Sequence, residues 1–195
     1  MMYKEDIAVK YKHLYKVLSM DKFLKMEALG GEIPFFISAY NPEQEIEVTK
    51  AIKGVKNKLE NDGLIVLELN LYNITIEILN EQLGDGEIFE LEKNMDKDEF
   101  KGALQSVLDI NEVFMPKMKE IIDSSKANIY SVTGVGTSYP FLRSHNILNN
   151  LQNVAKEAPT VMFFPGRYTG QSLELFGTLK DDNYYRAFNI DNYKI

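Results

Sequence analysis

The chain has 195 residues, 45% of them hydrophobic and 26% charged, and its 29 acidic residues outnumber the 22 basic ones to give a formal net charge of −7. It contains no cysteine, which excludes disulfides, thiolate metal ligands and cysteine nucleophiles. The acidic balance disfavours a large DNA-wrapping surface, because sequence-independent affinity for nucleic acid depends on Lys and Arg.

The N-terminal segment from Lys4 to Met26 predicts a helix. Its apolar face has the spacing of one helical stripe and consists of Ile7, Tyr11, Leu14 and Leu18. Charges run through the whole segment, so it does not resemble a signal peptide, and no stretch approaches the ~18 apolar residues of a membrane span. We therefore expect a cytoplasmic protein.

Lysines cluster in the same segment: Lys4, Lys10, Lys12, Lys16, Lys22 and Lys25. Because acidic residues interrupt the run, the pattern favours a solvated helix face. A small basic patch that contacts nucleic acid is the less favoured alternative.

The next elements predict a βαβ unit. The run IPFFISAY, residues 33–40, predicts a buried strand that begins after Gly30-Gly31. Asn41-Pro42 then opens an amphipathic helix, which ends at Asp62-Gly63 before a second strand, LIVLEL, at residues 64–69. We expect the two strands to be parallel and the crossover right-handed.

The remaining chain alternates helical and strand patterns. Helices are predicted at 74–83, 97–108, 111–124 and 142–157, and strands at 129–135, 161–164 and 184–190. The stretch from about Phe89 to Lys126 reads as a helical insert. The prediction is thus a single α/β domain over residues 1–195, with a mostly parallel sheet of about five strands and helices on both faces. Its layout is P-loop-like or Rossmann-like without a Walker motif.

Ligands of open α/β sheets bind beyond the carboxyl ends of the strands, which selects Asn70 to Asn73, the segment Gly134 to His145, and FFPGRYTGQSLELFG at 163–177. The second of these holds Gly134 and Gly136 but lacks the lysine of a phosphate loop, and Tyr139 stands where a dinucleotide fingerprint needs a third glycine. This excludes ordinary Walker-type ATP hydrolysis and favours a tight turn. A phosphate-binding loop remains the alternative.

Arg143 and His145 follow just inside the next predicted helix. The arginine has the chemistry to hold a carboxylate or a phosphate, and the histidine to act as a base. No Asp or Glu lies beside His145 in the sequence to orient it. The pattern therefore favours a capping or solvent-facing histidine and an arginine that ties the loop to a neighbouring carboxylate.

The stretch at 163–177 has two interpretations of equal weight. In one, Arg167, Tyr168 and Gln171 project above the sheet and bind an anion or a partner. In the other, Pro165-Gly166 is a turn and Gly170 begins a helix that packs on the core. The residues Tyr184, Tyr185, Arg186 and Phe188 are expected to complete the same edge, with Arg186 stacked on a tyrosine ring.

The sequence offers little material for catalysis. Ser138 and Ser172 lie in no GxSxG motif, His13 is isolated, and the acidic runs at 85–92 and 181–182 resemble exposed turns and a helix face. We expect no catalytic residues, no metal and no cofactor.

Several motifs together resemble those of one family. PFFISAYNPEQEIEV, LNLYNI, GVGTSYPFLRSH, FFPGRYTGQSLELFG and NYYRAF occur in the order of the BrxB family and cover essentially the whole chain. BrxB proteins are small components of the BREX bacteriophage-exclusion systems, which pair a DNA methyltransferase with an AAA+ ATPase and an alkaline-phosphatase-like protein, PglZ. The resemblance implies a non-catalytic accessory protein that binds PglZ or bridges it to other BREX proteins.

The main hypothesis is therefore an interaction module with aromatic and arginine residues at its contact surface: Arg143, Arg167, Tyr168, Tyr185 and Arg186. The alternative is a nucleotide- or anion-binding domain without hydrolysis, with Gly134, Gly136, Arg143 and Gln171 around its pocket.

Overall fold

The structure is a computed structural model and describes residues 4–27, 34–181 and 187–195. The predicted Gly30-Gly31 helix stop, Ile33 of the first strand and residues 184–186 of the fifth lie outside the described residues. None of the helices in the described part of the chain has the length and apolar content that crossing a membrane requires.

The N-terminal segment forms two helices, α1 (Ile7–Leu18) and α2 (Asp21–Leu24), where the sequence predicts one. The carboxylate of Asp6 accepts the backbone N–H of Val9 at 3.1 Å and so begins α1. At the other end, the hydroxyl of Ser19 donates to the carbonyl of Tyr15 at 2.8 Å. The break follows because side-chain bonding to the backbone competes with continued helix.

The described strands are β1 (Phe35–Tyr40), β2 (Val66–Asn70), β3 (Ile129–Thr133), β4 (Thr160–Tyr168), β5 (Leu173–Leu175), β6 (Leu179–Asp181) and β7 (Phe188–Asn189). The main sheet has the order β2-β3-β4-β1-β7, with all of these neighbours parallel. The prediction of parallel first and second strands is confirmed, although β4 and β3 lie between them.

The larger helices connect these strands: α3 (Glu45–Asn61), α4 (Leu71–Leu83), α5 (Glu87–Asn94), α6 (Lys97–Val107), α7 (Met115–Asp123) and α8 (Ser144–Val154). A π-helical turn, Ile110–Phe114, leads into α7. The predicted helical segment between the second and third strands is therefore present.

Two hydrophobic cores cover the two faces of the sheet. Phe35 and Ile37 of β1 point into one core with residues of α4, α6, α7 and α8, and Phe36 between them points into the other with α1 and α3. Alternate side chains of a strand lie on opposite faces, which explains the continuous apolar run of β1. The predicted α/β fold with helices on both faces is confirmed.

The stretch after the fourth strand corrects the sequence analysis. Pro165-Gly166 lies inside β4, where a turn was predicted, and Gly170 precedes β5, where a helix was predicted. Gly166 pairs with Leu175 and Tyr168 with Leu173, and β6 pairs in turn with β5. Leu173 and Leu175 flank Glu174, so their spacing of two suits a strand with one buried face. We call this three-stranded unit, residues 165–181, the extension.

Candidate interaction surface at the carboxyl edge of the sheet

Gly134, at the end of β3, makes a close contact with Asn70 and the start of α4. Asn70 ends β2, and its side-chain oxygen accepts the N–H of Asn73 at 3.1 Å to cap α4. Gly134 has φ +72°, and a Cβ there would lie 2.6 Å from that oxygen and 3.1 Å from the N of Tyr72. Glycine is therefore required at this position because the end of β3 packs closely against Asn70 and the start of α4.

The rest of this loop is closed by its own hydrogen bonds. The N–H and hydroxyl of Ser138 donate to the carbonyls of Gly134 and Val135, both at 3.1 Å, and Ser138 is buried. Val135 and Leu142 are buried in the core on either side of it. A serine in this position holds a turn together and is not exposed as a nucleophile.

The extension has a buried face and a face toward solvent. Tyr168, Leu173 and Leu175 belong to the core. On the other face, Arg167 pairs with Glu174 and Glu174 with Lys180 in the strand register. The Arg167 side chain is 51% exposed, and its guanidinium lies 4.0 Å from the Glu174 carboxylate, which is also 3.8 Å from the Lys180 ammonium. Two cations therefore share one carboxylate on the outer face, and Arg167 keeps most of its donors for another group.

Tyr168 and Gln171 have different environments although both were candidates for the same surface. The Tyr168 hydroxyl donates to the carbonyl of Ala187 at 2.6 Å, so this side chain fixes the extension to the segment before β7. Gln171 is exposed in the loop Thr169–Ser172, whose geometry is held by bonds from the N–H groups of Gln171 and Ser172 to the Thr169 hydroxyl. Gly170 in that loop has φ +87° and open space around it. Tyr185 and Arg186 lie outside the described residues.

An aromatic pair that the sequence analysis missed joins the loop to the extension. The rings of Tyr139 and Phe176 meet edge to face with centroids 6.2 Å apart, and the two residues are 37% and 38% exposed. Phe176 has φ +57°, an unusual conformation for a bulky residue. A Cβ on Gly136 would lie 3.1 Å from the Phe176 ring and 3.0 Å from Pro165. Gly136 thus admits the ring, and only tertiary structure reveals the pair.

Arg143 and His145 lie at the start of α8. Arg143 occupies the N-cap position and is exposed, and it lines a small pocket of about 360 Å³ together with Lys101, Gln105 and Asp109. His145 is half-buried and partnered.

The pocket beside Gly134 differs from the anion site considered in the sequence analysis. It measures about 680 Å³ and lies between α3, α4 and the ends of β2 and β3; Gly136, Arg143 and Gln171 do not line it. Its charged residues are Glu45, Glu60, Glu68, Lys53 and Lys56. Glu68 already accepts the Thr133 hydroxyl at 2.9 Å and pairs with Lys56 at 3.6 Å. Carboxylates outnumber cations there, which disfavours a phosphate.

Lys10, one of the N-terminal lysines, is not available to an external ligand, whereas Lys12 and Lys16 of the same helix are exposed. Lys10, with a side chain only 10% exposed, lies 2.9 Å from Glu5 and 3.0 Å from Asp191 and donates to the carbonyl of Ala39. Burial raises the pKa of the Asp191 carboxyl, while Lys10 acts in the opposite direction. Lys10 therefore fixes α1 to the C-terminal segment and does not face a polyanion.

Within residues 4–27, 34–181 and 187–195, no group of three or more His, Asp or Glu side chains is arranged to hold a metal ion. His13 is half-buried on α1, and its Nε2 has no hydrogen-bond partner in the structure.

A family model and two known proteins that match the chain carry the same family name. The family model described as "BREX protein BrxB" matches residues 67–190, a segment that includes the loop after β3 and the whole extension. A protein of Bacillus cereus (strain H3081.97) named "BREX protein BrxB" is 40% identical over 176 residues, covering 86% of this chain and 88% of the relative. One of the same name from Escherichia coli O9:H4 (strain HS) is 30% identical over 175 residues, covering 89% and 86%. No solved structure matches the chain.

Proposed function

The chain belongs to the BrxB family of the BREX antiphage defence systems, and on that premise we propose that it is a non-catalytic scaffold that binds the alkaline-phosphatase-like protein PglZ through the outer face of the extension. In this role the protein helps to assemble the defence complex and carries out no reaction itself.

The exposed Arg167 is the observation that carries the proposal. Its partner across the strand pair, Glu174, is shared with Lys180, and both distances are at the long end for ion pairs. A surface pair of this kind contributes about 0–1 kcal/mol to stability, so folding does not account for the arginine. Arginine and aromatic residues are enriched among the anchors of protein interfaces. Arg167 and Phe176 of the extension, together with Tyr139 packed on Phe176, therefore have the chemistry of a partner surface that contacts carboxylates and apolar groups.

The environment of the loop after β3 supports a role without a reaction step. The Asn70 side chain lies within 2.6 Å of the point where a Cβ on Gly134 would stand, and Ser138 is buried and hydrogen-bonded within its own turn. A scaffold needs a stable loop here, and these contacts supply one.

Co-expression of the chain with PglZ tests the proposal. We expect Arg167→Ala and Arg167→Glu to lower the yield of co-purified PglZ by about tenfold or more, the scale of loss at an interface anchor. Lys50→Glu is the matched control, because Lys50 is exposed on α3 and its reversal changes the net charge by the same amount as Arg167→Glu.

Wild-type yield of PglZ with both Arg167 variants would show that the extension is not the contact surface. If the wild-type chain retains a different BREX protein and not PglZ, the assigned partner is wrong.

A further inference from the structure

A groove bordered by helices has features of a second binding surface. It lies between α4, α5 and α6 and measures about 860 Å³. Helix α5 borders it, and none of that helix's eight residues is buried, although it contacts α4 and α6. A surface helix of a folded domain ordinarily buries one apolar stripe. Helix α5 therefore has apolar surface that the described chain leaves uncovered.

The groove is lined with apolar and aromatic side chains. They include Ile76, Leu79, Ile88, Phe89, Phe100 and Phe141. Phe100 and Phe141 are fixed edge to face at 6.2 Å, whereas Phe89 is 65% exposed. The groove thus contains a half-buried aromatic pair and one large exposed apolar side chain, the kind of surface that a partner's apolar groups cover.

The charges around the groove are of one sign. Glu77, Asp85 and Glu92 line it, and no Lys or Arg does. Lys117 lies 2.8 Å from Glu77 and 2.8 Å from Glu81, so Glu77 is already paired. Asp85 and Glu92 make no ion pair within the described part of the chain. The unpaired carboxylates favour a cationic occupant.

We propose that this groove binds an amphipathic helix of a partner protein whose polar face carries Lys or Arg. Such a helix places apolar residues at i, i+3, i+4 and i+7 into an apolar groove between helices. Its basic residues reach the unpaired Asp85 and Glu92 at the rim. A second copy of the chain is a poorer occupant, because it would bring two acidic rims together, and nucleic acid is excluded by the same sign of charge.

The surface is separate from the extension, since Arg167 does not line the groove. A protein with both surfaces holds two partners at once, and this inference does not depend on PglZ being the partner of the extension.

A fluorescent model peptide tests the proposal with the full-length chain. The peptide is a helix of about 18 residues, long enough for five turns, with Leu at i, i+3, i+4 and i+7 and Lys elsewhere; a second peptide replaces each Lys with Glu. We expect saturable binding of the Lys peptide in fluorescence anisotropy and about tenfold weaker binding to Phe89→Ser and to the double variant Asp85→Lys/Glu92→Lys. Ile46→Ser is the matched control, because Ile46 is another highly exposed apolar residue, on α3.

Equal affinity of the Lys peptide for wild type and Phe89→Ser would overturn the proposal, because it would show attraction to the net negative charge alone. Equal binding of the Glu peptide, or no binding of the Lys peptide to wild type, would overturn it as well. A dimer at micromolar concentration that Phe89→Ser dissociates would identify a second copy as the occupant. Arg167→Ala leaves peptide binding unchanged, so the two proposals fail separately.

Discussion

Two segments at the carboxyl edge of the sheet look alike in sequence and differ in the structure. The loop after β3 and the extension after β4 both combine glycines with polar and aromatic residues. An added Cβ at Gly134 would clash with Asn70 and the start of α4, whereas one at Gly170 in the extension would meet no atom within 4 Å, and Arg167 nearby is exposed. A glycine after a strand therefore indicates an unusual backbone, and its neighbours decide whether that backbone is packed or exposed.

Among the glycines compared, Gly166, where the extension leaves the main sheet, should be the one least tolerant of substitution. A Cβ on Gly166 would lie 2.0 Å from the carbonyl oxygen of Glu174 and 2.9 Å from the Phe164 ring. We expect Gly166→Ala to lower the free energy of unfolding by about 3 kcal/mol, because the β4–β5 pair must separate. The measurement is the urea midpoint with its slope. An unchanged midpoint would mean that the extension is not packed as described.

Gly134→Ala should have the next largest effect, about 2 kcal/mol, because it combines a left-handed backbone at φ +72° with the contact to the Asn70 oxygen. Gly102→Ala is the control, since Gly102 lies in α6 with no atom within 4 Å of an added Cβ. That variant should be more stable by roughly 0.5–1 kcal/mol. Thermal unfolding of the two variants checks whether Gly134→Ala is less stable and Gly102→Ala more stable than the wild type. A Gly134→Ala protein of wild-type stability would contradict the close contact between Gly134 and Asn70.

Gly170→Ala measures the free-energy cost of a left-handed backbone alone, without a steric clash. The position has φ +87° but nothing within 4 Å of an added Cβ, so we expect a loss of only about 1 kcal/mol. A loss as large as that of Gly166→Ala in the same urea titration would show that the loop of the extension is packed against other residues.

Arg167→Ala should have the smallest effect on stability, below about 0.5 kcal/mol, because the Arg167 side chain is half exposed, its distance to Glu174 is 4.0 Å, and Lys180 remains beside Glu174 in the variant. The combination of a near-normal unfolding midpoint with lost partner binding distinguishes an interface residue from a structural one. A destabilisation of about 2 kcal/mol or more would assign Arg167 to the fold.

Local patterns predicted most of the fold. The continuous apolar run of β1, the caps and the amphipathic stripes indicated the α/β class and the two covered faces of the sheet, and these predictions are confirmed. The sequence did not predict that β3 and β4 lie between β1 and β2. The sequence of a crossover connection does not indicate which strands lie between the two that it joins. The extension was missed although Leu173 and Leu175 already alternate, because three-residue strands give a weak period.

Less of the candidate surface than of the fold could be predicted from the sequence. Arg167 and Tyr168 are adjacent, yet one is exposed and the other is in the core, as alternation along a strand requires. That assignment needs the segment to be recognised as a strand. The Tyr139–Phe176 pair depends on residues 37 positions apart meeting through the space left by Gly136, and no local signal in either segment indicates it.

Site-specific photo-crosslinking tests the central claim most directly. A photoreactive amino acid replaces Gln171, exposed in the extension, and in a second protein it replaces Lys50, exposed on α3. If the extension binds PglZ, position 171 yields a crosslink to co-expressed PglZ and position 50 does not. Crosslinks of equal strength from both positions, or from position 50 alone, would contradict the account.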